Sequence, residues 1–156
     1  MKPYLHDGIA FMWNLDSSVG KGGANNNRTD ISYLQWYYTL AAQSPLVDPE
    51  RKAVYKNVSV TGACSGRDDD PLVKAIVAHQ QALNHPVIDG KASALPGTSG
   101  NVRLADQKAF FIIRLGARLA YLYPQSWPRL DQMPRCPPSV AAAVLEACNF
   151  PLAPQG

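Results

Sequence analysis

Apolar side chains recur with helical spacing in four segments of the chain. The segments run from Asp30 to Ala42, from Pro71 to Asn84, from Leu104 to Tyr123 and from Pro137 to Asn149. Spacings of three and four residues place apolar side chains on one face of a helix. Residues 8–13 are the best candidate for a strand, and alternating patterns are otherwise rare. The pattern therefore predicts an all-α fold.

The first helix is apolar on two sides. We expect Thr29 or Asp30 to cap it, because a short side-chain oxygen can accept an orphan N–H of the first turn. One face carries Ile31, Leu34 and Tyr38, and the opposite face carries Tyr33, Trp36, Tyr37 and Leu40. Either the C-terminal helices cover the aromatic face, or Trp36 and Tyr37 line a glycan groove, since aromatic rings stack on sugars. The first alternative predicts a central helix.

The second helix has a clear start. Three aspartates precede Pro71, which suits the first helical position, and carboxylates there favour the positive end of the helix dipole. Its inner face predicts a core around Ile76 and a hydrogen-bonded packing role for His79. The following segment, up to Asn101, is rich in turn signals.

Size and charge restrict the classes of partner. A chain of 156 residues with 46% hydrophobic and 17% charged residues suits one domain with an extension. The net charge of +3 comes without a run of Lys or Arg, so no nucleic-acid partner is expected. No segment is long and apolar enough to predict a membrane span. The N-terminus lacks the features of a secretory signal, which predicts cytoplasmic synthesis.

Two of the helices and their loops resemble the three-helix peptidoglycan-binding-domain-like proteins of bacteria. That family carries an LQ motif in its first helix, an AVxxFQ motif in its second helix and a DGxxGxxT turn. A variant in bacterial proteins adds the loop SVGxGGxN before the first helix. The counterparts in this sequence are Ser18, Val19, Gly20, Gly22, Gly23, Asn25, Asp30, Ile31, Leu34, Gln35, Ala75, Ile76, His79, Gln80, Asp89, Gly90, Gly97 and Thr98.

The resemblance covers about residues 18–100 and implies a three-helix core with additional C-terminal helices. It divides the chain into an N-terminal segment (1–17), a peptidoglycan-binding-like core (18–103) and a helical extension packed on that core (104–156). The implied function is non-catalytic binding of peptidoglycan, linked to a secretion system or phage-derived machinery. Delivery to the periplasm or cell envelope would then follow a route other than general secretion. The candidate ligand-binding residues are Tyr33, Trp36, Tyr37 and Gln80.

Two other functions stay open. The chain is either a protein-interaction module on the same fold, of the adaptor or immunity type, or a small cell-wall hydrolase. No serine lies in a nucleophile elbow, and Cys64 is the best nucleophile candidate, with His79 or His85 as its base. We expect no catalytic residues, no metal site and no cofactor. Cys64, Cys136 and Cys148 form either one disulfide with a free thiol or three reduced thiols.

The glycine- and asparagine-rich loop from Ser18 to Asn27 also has two readings. It holds a phosphate or glycan through backbone N–H groups, or its glycines and asparagines only form turns. A Walker loop is excluded, because Lys21 is followed by two glycines where Lys-Ser or Lys-Thr is required. Turn formation is the predicted role, and the same holds for Asp89-Gly90.

Overall fold

The computed structural model describes residues 1–7, 10–100 and 111–148, and within this part the chain forms five α-helices and five strands. The elements in chain order are β1 (Lys2–His6), β2 (Ala10–Asn14), β3 (Val19–Gly20), α1 (Arg28–Ala41), α2 (Pro49–Tyr55), α3 (Pro71–Ala82), β4 (Lys91–Ala92), β5 (Ser99–Gly100), α4 (Phe111–Leu122) and α5 (Pro138–Cys148). A 3₁₀ turn at Leu130–Gln132 precedes α5.

The predicted all-α class is wrong, because the described residues contain two small sheets. β1 pairs antiparallel with β2, from Lys2 opposite Asn14 to His6 opposite Ala10, and parallel with β5. β3 and β4 form a second, two-stranded sheet. The strand predicted at residues 8–13 corresponds to β2, whose partner β1 was not predicted. Strands of two to five residues leave too little alternation for a sequence pattern to reveal.

The start of α1 also differs from the prediction. Asn27 caps the helix, accepting the backbone N–H of Asp30 at 3.0 Å, so neither Thr29 nor Asp30 is the cap. The buried carboxylate of Asp30 instead accepts the backbone N–H groups of Asp16 and Ser17, at 2.9 and 3.0 Å. It also lies 2.6 Å from the amino group of Met1. Burial raises the pKa of Asp30 despite these contacts.

Helix α3 begins as predicted, and α2 is an additional helix. Asp70 caps α3 by accepting the backbone N–H of Leu72 at 2.9 Å, with Pro71 in the first turn. Asp48 caps α2 in the same way, accepting from Arg51. The predicted third helix begins at Leu104, which lies outside the described residues; its described part, α4, ends at Leu122.

Helix α1 lies at the centre of the core. Its side chains Tyr33, Trp36 and Tyr38 are each 0% exposed. On the C-terminal side, the indole N–H of Trp36 donates to the carbonyl of Pro134 at 2.9 Å, and α5 packs against α1. Tyr37 turns the other way and stacks on His79 of α3, with ring centroids 5.5 Å apart. The two-sided burial of α1 therefore matches the central-helix expectation, except that Tyr37 faces α3.

The length and apolar character of a helix determine whether it can cross a membrane. Among residues 1–7, 10–100 and 111–148, no helix combines the length and the apolar character that a membrane span requires.

An arginine and tyrosine pocket

The two glutamines of the resemblance hold loops. The amide oxygen of Gln80 accepts the consecutive backbone N–H groups of Asp89 and Gly90, at 3.1 and 2.9 Å. The amide oxygen of Gln35 accepts those of Thr61 and Gly62, both at 2.9 Å. Each amide nitrogen donates to a nearby carbonyl of the same loop. Both glutamines are buried, so their hydrogen bonds anchor the loops to α1 and α3.

The glycine-rich loop closes on itself. The side-chain oxygen of Asn25 accepts the backbone N–H of Gly20 at 2.8 Å, and its amide nitrogen donates to the Gly20 carbonyl at 2.9 Å. Gly20, with φ of +113°, lies directly on the carbonyl of Gly90, to which the N–H of Lys21 donates at 2.9 Å. The loop thus joins β3 to the Asp89-Gly90 turn, and Gly22 and Gly23 belong to its bend.

The remaining motif residues have structural positions. Leu34, Ala75 and Ile76 are each 0% exposed in the core. The carbonyl of Thr98 accepts the N–H of Leu5 at 2.9 Å, next to the pairing of β1 with β5. Of the predicted ligand-binding aromatics, Tyr33 and Trp36 have no exposed surface, and only Tyr37 lines a cavity.

That cavity, of about 460 Å³, lies between α1, α2, α4 and the end of α3. Sites for small ligands commonly have volumes of about 300–1,000 Å³. We call it the arginine–tyrosine pocket, defined by Tyr37, Arg51, Tyr55, His79, Arg114 and Arg118. Among the described residues that line it, none is acidic.

The positive charge of the pocket comes from two helices. Arg114 and Arg118 are four residues apart on α4, so both side chains lie on the same face of the helix. Neither arginine takes part in an ion pair with any residue of the described ranges. Arg51 of α2 donates through Nε to Oδ2 of Asp48 at 2.5 Å, so its charge is partly compensated. Arg114 and Arg118 therefore supply the charge that no acidic side chain of the described ranges pairs with.

The floor of the pocket is aromatic and uncharged. His79 is 6% exposed, stacks on Tyr37, and meets the ring of Phe111 edge to face at 4.9 Å between centroids. Burial lowers the pKa of His79 to about 3, with the charges of Arg51, Arg118 and Arg114 acting in the same direction. The imidazole is therefore neutral at neutral pH, and all three arginines act electrostatically on the same floor.

Tyr55 lines the pocket, and its hydroxyl oxygen is buried. The residue is 1% exposed, and its buried hydroxyl has no aligned hydrogen-bond partner among the described residues. The guanidinium of Arg51 is close enough to lower the pKa of this phenol, but burial outweighs it and raises the pKa to about 12. The hydroxyl thus keeps its proton at neutral pH.

The rim of the pocket carries two exposed residues with apolar surface. Leu46 is 52% exposed and Tyr121 is 69% exposed, and both line the opening. The guanidinium of Arg118 lies 5.8 Å from the ring centroid of Tyr121, a cation–π contact that favours one orientation of the arginine. The opening therefore combines apolar surface with two cations.

The cysteines have no catalytic surroundings in the described ranges. All three thiols are free, which answers the question of a disulfide. Burial raises the pKa of Cys64 and raises that of Cys136 to about 12, so both thiols stay protonated at neutral pH. The described residues contain no cluster of three or more His, Cys, Asp or Glu side chains suited to a metal ion.

Sequence reasoning missed most of the pocket. It selected Tyr37 as a ligand-binding candidate and His79 as a packing residue, and the pocket contains both. The sequence feature that could have indicated the other pocket residues is the spacing of Arg114 and Arg118, which form a polar stripe on an otherwise apolar helix. Nothing in the sequence linked that stripe to Arg51 and Tyr55 in a helix that was not predicted.

Comparisons with models of protein families, with curated proteins and with solved structures found no match for this chain. Functional inference therefore depends on the geometry and charge of the pocket and on the motifs of the sequence.

Proposed function

We propose that the chain is a non-catalytic binding module for the bacterial cell wall, and that the arginine–tyrosine pocket holds the bound part of peptidoglycan. The observation that carries this proposal is the convergence of Arg51, Arg114 and Arg118 on a cavity whose described lining residues include no acidic side chain. Peptidoglycan presents carboxylates on its peptide stems. A guanidinium binds a carboxylate through two parallel N–H groups, which provides both affinity and geometric selection.

The low polarity of the pocket floor strengthens such an interaction. The floor consists of buried rings, and His79 remains neutral there. A charge pair that is partly shielded from water is stronger than one on an open surface, because the effective dielectric constant is lower. Arg114 and Arg118 are exposed on α4, so this strengthening applies to the part of a ligand that lies against the floor.

The motifs supply the second support for a cell-wall ligand. The residues that carry the resemblance come together as a loop anchor, since Gln80 binds the Asp89-Gly90 turn and Gly20 packs on Gly90. This arrangement gives Gln80, Asp89, Gly90 and Gly20 one shared structural role. The resemblance thus favours peptidoglycan among the ligands that carry carboxylates.

A second candidate function is a protein-interaction module, and the exposed rim favours it. Leu46 and Tyr121 place apolar surface beside two cations, a combination that also suits an acidic segment of a protein. This candidate predicts binding to a protein partner and no retention on purified cell walls.

The test is co-sedimentation of the purified protein with insoluble peptidoglycan. We expect the wild-type protein to sediment with the cell walls and the Arg114→Ala/Arg118→Ala variant to remain largely in the supernatant. The matched control is Arg67→Ala/Lys74→Ala, which also removes two exposed cations but from outside the pocket. Equal sedimentation of both variants, or no sedimentation of the wild type, would contradict the proposal.

A further inference from the structure

We infer that the arginine–tyrosine pocket recognises the terminal carboxylate of a short peptide, with Arg114 and Arg118 on the carboxylate and the terminal side chain against the aromatic floor. This inference rests on the proposed function, since it names the chemical group of the cell wall that enters the pocket. For peptidoglycan the group is the free end of an uncrosslinked peptide stem.

The charges of the pocket match a single carboxylate. Arg51 already donates to Asp48, whereas Arg114 and Arg118 have no ion-pair partner among the described residues. Two neighbouring guanidinium groups can share the two oxygens of one carboxylate. A carboxamide offers only one acceptor oxygen and no charge, so it would lose most of these interactions.

The shape of the pocket favours a chain end. Buried side chains of Tyr37, Tyr55 and His79 close one side of the cavity, and the exposed residues Leu46 and Tyr121 lie at its rim. A ligand that enters past the rim meets the aromatic floor and stops there. The volume of about 460 Å³ suits one or two small residues, while the rest of a longer chain can lie across the apolar rim.

The test compares two peptides that differ only in the terminal group. The full chain is titrated with N-acetyl-D-alanyl-D-alanine and with its carboxamide, followed by isothermal calorimetry and by NMR spectra. We expect the carboxylate to bind at least about tenfold more tightly than the carboxamide. Equal affinities for the two peptides would overturn the inference.

Two variants locate the binding. We expect Arg114→Ala/Arg118→Ala to weaken binding of the carboxylate by about tenfold or more, and the Arg67→Ala/Lys74→Ala control to bind as the wild type does. Undiminished binding in the arginine variant would place the carboxylate elsewhere and overturn the inference.

Two further ligands separate the sources of the negative charge. The L-enantiomer represents the C-terminus of a protein, and inorganic phosphate represents a phosphorylated group. Tighter binding of the D-peptide than of either supports a cell-wall stem. Preference for the L-peptide would assign the pocket to protein C-termini and overturn the cell-wall source, and preference for phosphate would overturn the carboxylate assignment itself.

The inference and the proposed function fail in different ways. If the carboxylate peptide binds the pocket but the protein does not sediment with cell walls, the inference stands and the proposed function fails. If the protein sediments with cell walls while carboxylate and carboxamide bind equally, the proposed function stands and the inference fails.

Discussion

Tyr38 and His79 are joined by a buried hydrogen bond, with the phenolic oxygen 3.0 Å from Nδ1 of the imidazole. The bond links the central helix α1 to α3, beneath the floor of the arginine–tyrosine pocket. Tyr37, Tyr55 and Phe111 surround the imidazole from three other directions. A histidine in this position is held as part of the core, although its ring nitrogen remains a titratable group.

The first prediction concerns acid stability. The unfolded chain protonates His79 near pH 6.5, whereas the folded protein does so near pH 3. Between these values the unfolded state binds more protons, so the free energy of unfolding falls as the pH drops, by about 1.4 kcal/mol per unit from this group. The contribution of His79 to the free energy of unfolding is fully present above pH 6.5. Urea melts at pH 7.5 and pH 4.5 measure the difference.

The matched variant for this prediction is His79→Phe, which keeps an aromatic ring and removes the titratable nitrogen. The titratable and charged groups that face His79 are Tyr37 and Tyr38 from α1, Arg51 and Tyr55 from α2, Arg114 and Arg118 from α4, and His85. All of them remain in the variant. We expect a smaller loss of stability between the two pH values than in the wild type. An identical loss of stability in both proteins would show that His79 is already protonated at pH 4.5 in the folded protein.

The second prediction tests the orientation of α3. Ile76 is 0% exposed, and its truncation to alanine leaves a cavity in the core. We expect Ile76→Ala to lower the free energy of unfolding by about 2–5 kcal/mol. The neighbouring variant Lys74→Ala, at an exposed position of the same helix, should change it by less than about 0.5 kcal/mol. Similar effects of the two substitutions in urea melts would be inconsistent with this packing.

The third prediction compares two glycines of one loop. A Cβ atom at Gly20 would lie 2.2 Å from the carbonyl oxygen of Gly90, whereas one at Gly22 meets no atom within 4 Å. Both glycines have positive φ, so alanine is strained at either position. We expect Gly22→Ala to cost about 1–2 kcal/mol and Gly20→Ala to cost clearly more, because the β3–β4 contact must also open. Thermal melts of the two variants would show the order.

The fourth prediction concerns catalysis. The thiol of Cys64 is half-buried, and its raised pKa keeps it in the protonated, poorly nucleophilic form at neutral pH. We expect the purified protein to release no soluble fragments from cell walls, measured by chromatography of the supernatant. Release that disappears in Cys64→Ala would establish a hydrolase and replace the binding function.

The sequence predicted the helices whose signals are local. Pro71 after three aspartates fixed the start of α3, and the spacing of apolar residues marked its inner face. α2 was missed because its seven residues contain only one buried side chain, Tyr55. β1 was missed because its partners, β2 and β5, are recognisable only once the chain has folded.

The pocket could not be predicted from local sequence patterns, because its residues come together only in the folded chain. Arg51 and Arg114 come from different helices and line one pocket only because α2 packs on α1 and α3 while α4 packs on β2. The charged stripe of α4 has the spacing of an ordinary solvated face. Tyr37 was predicted to face the C-terminal helices, whereas its ring stacks on His79 of α3 and lines the pocket beside α4.

Because Gln35 and Gln80 hold the two loops by main-chain hydrogen bonds, the loop sequences can vary more freely than the sequences of the helices. The amide oxygens of Gln35 and Gln80 each accept two consecutive backbone N–H groups, and the second donor of each pair, Gly62 or Gly90, has a positive φ that favours glycine. A loop of different sequence, and even of different length beyond the turn, keeps its attachment if it presents two such groups. The protein can therefore acquire new surface chemistry at these loops while the glutamines preserve the framework.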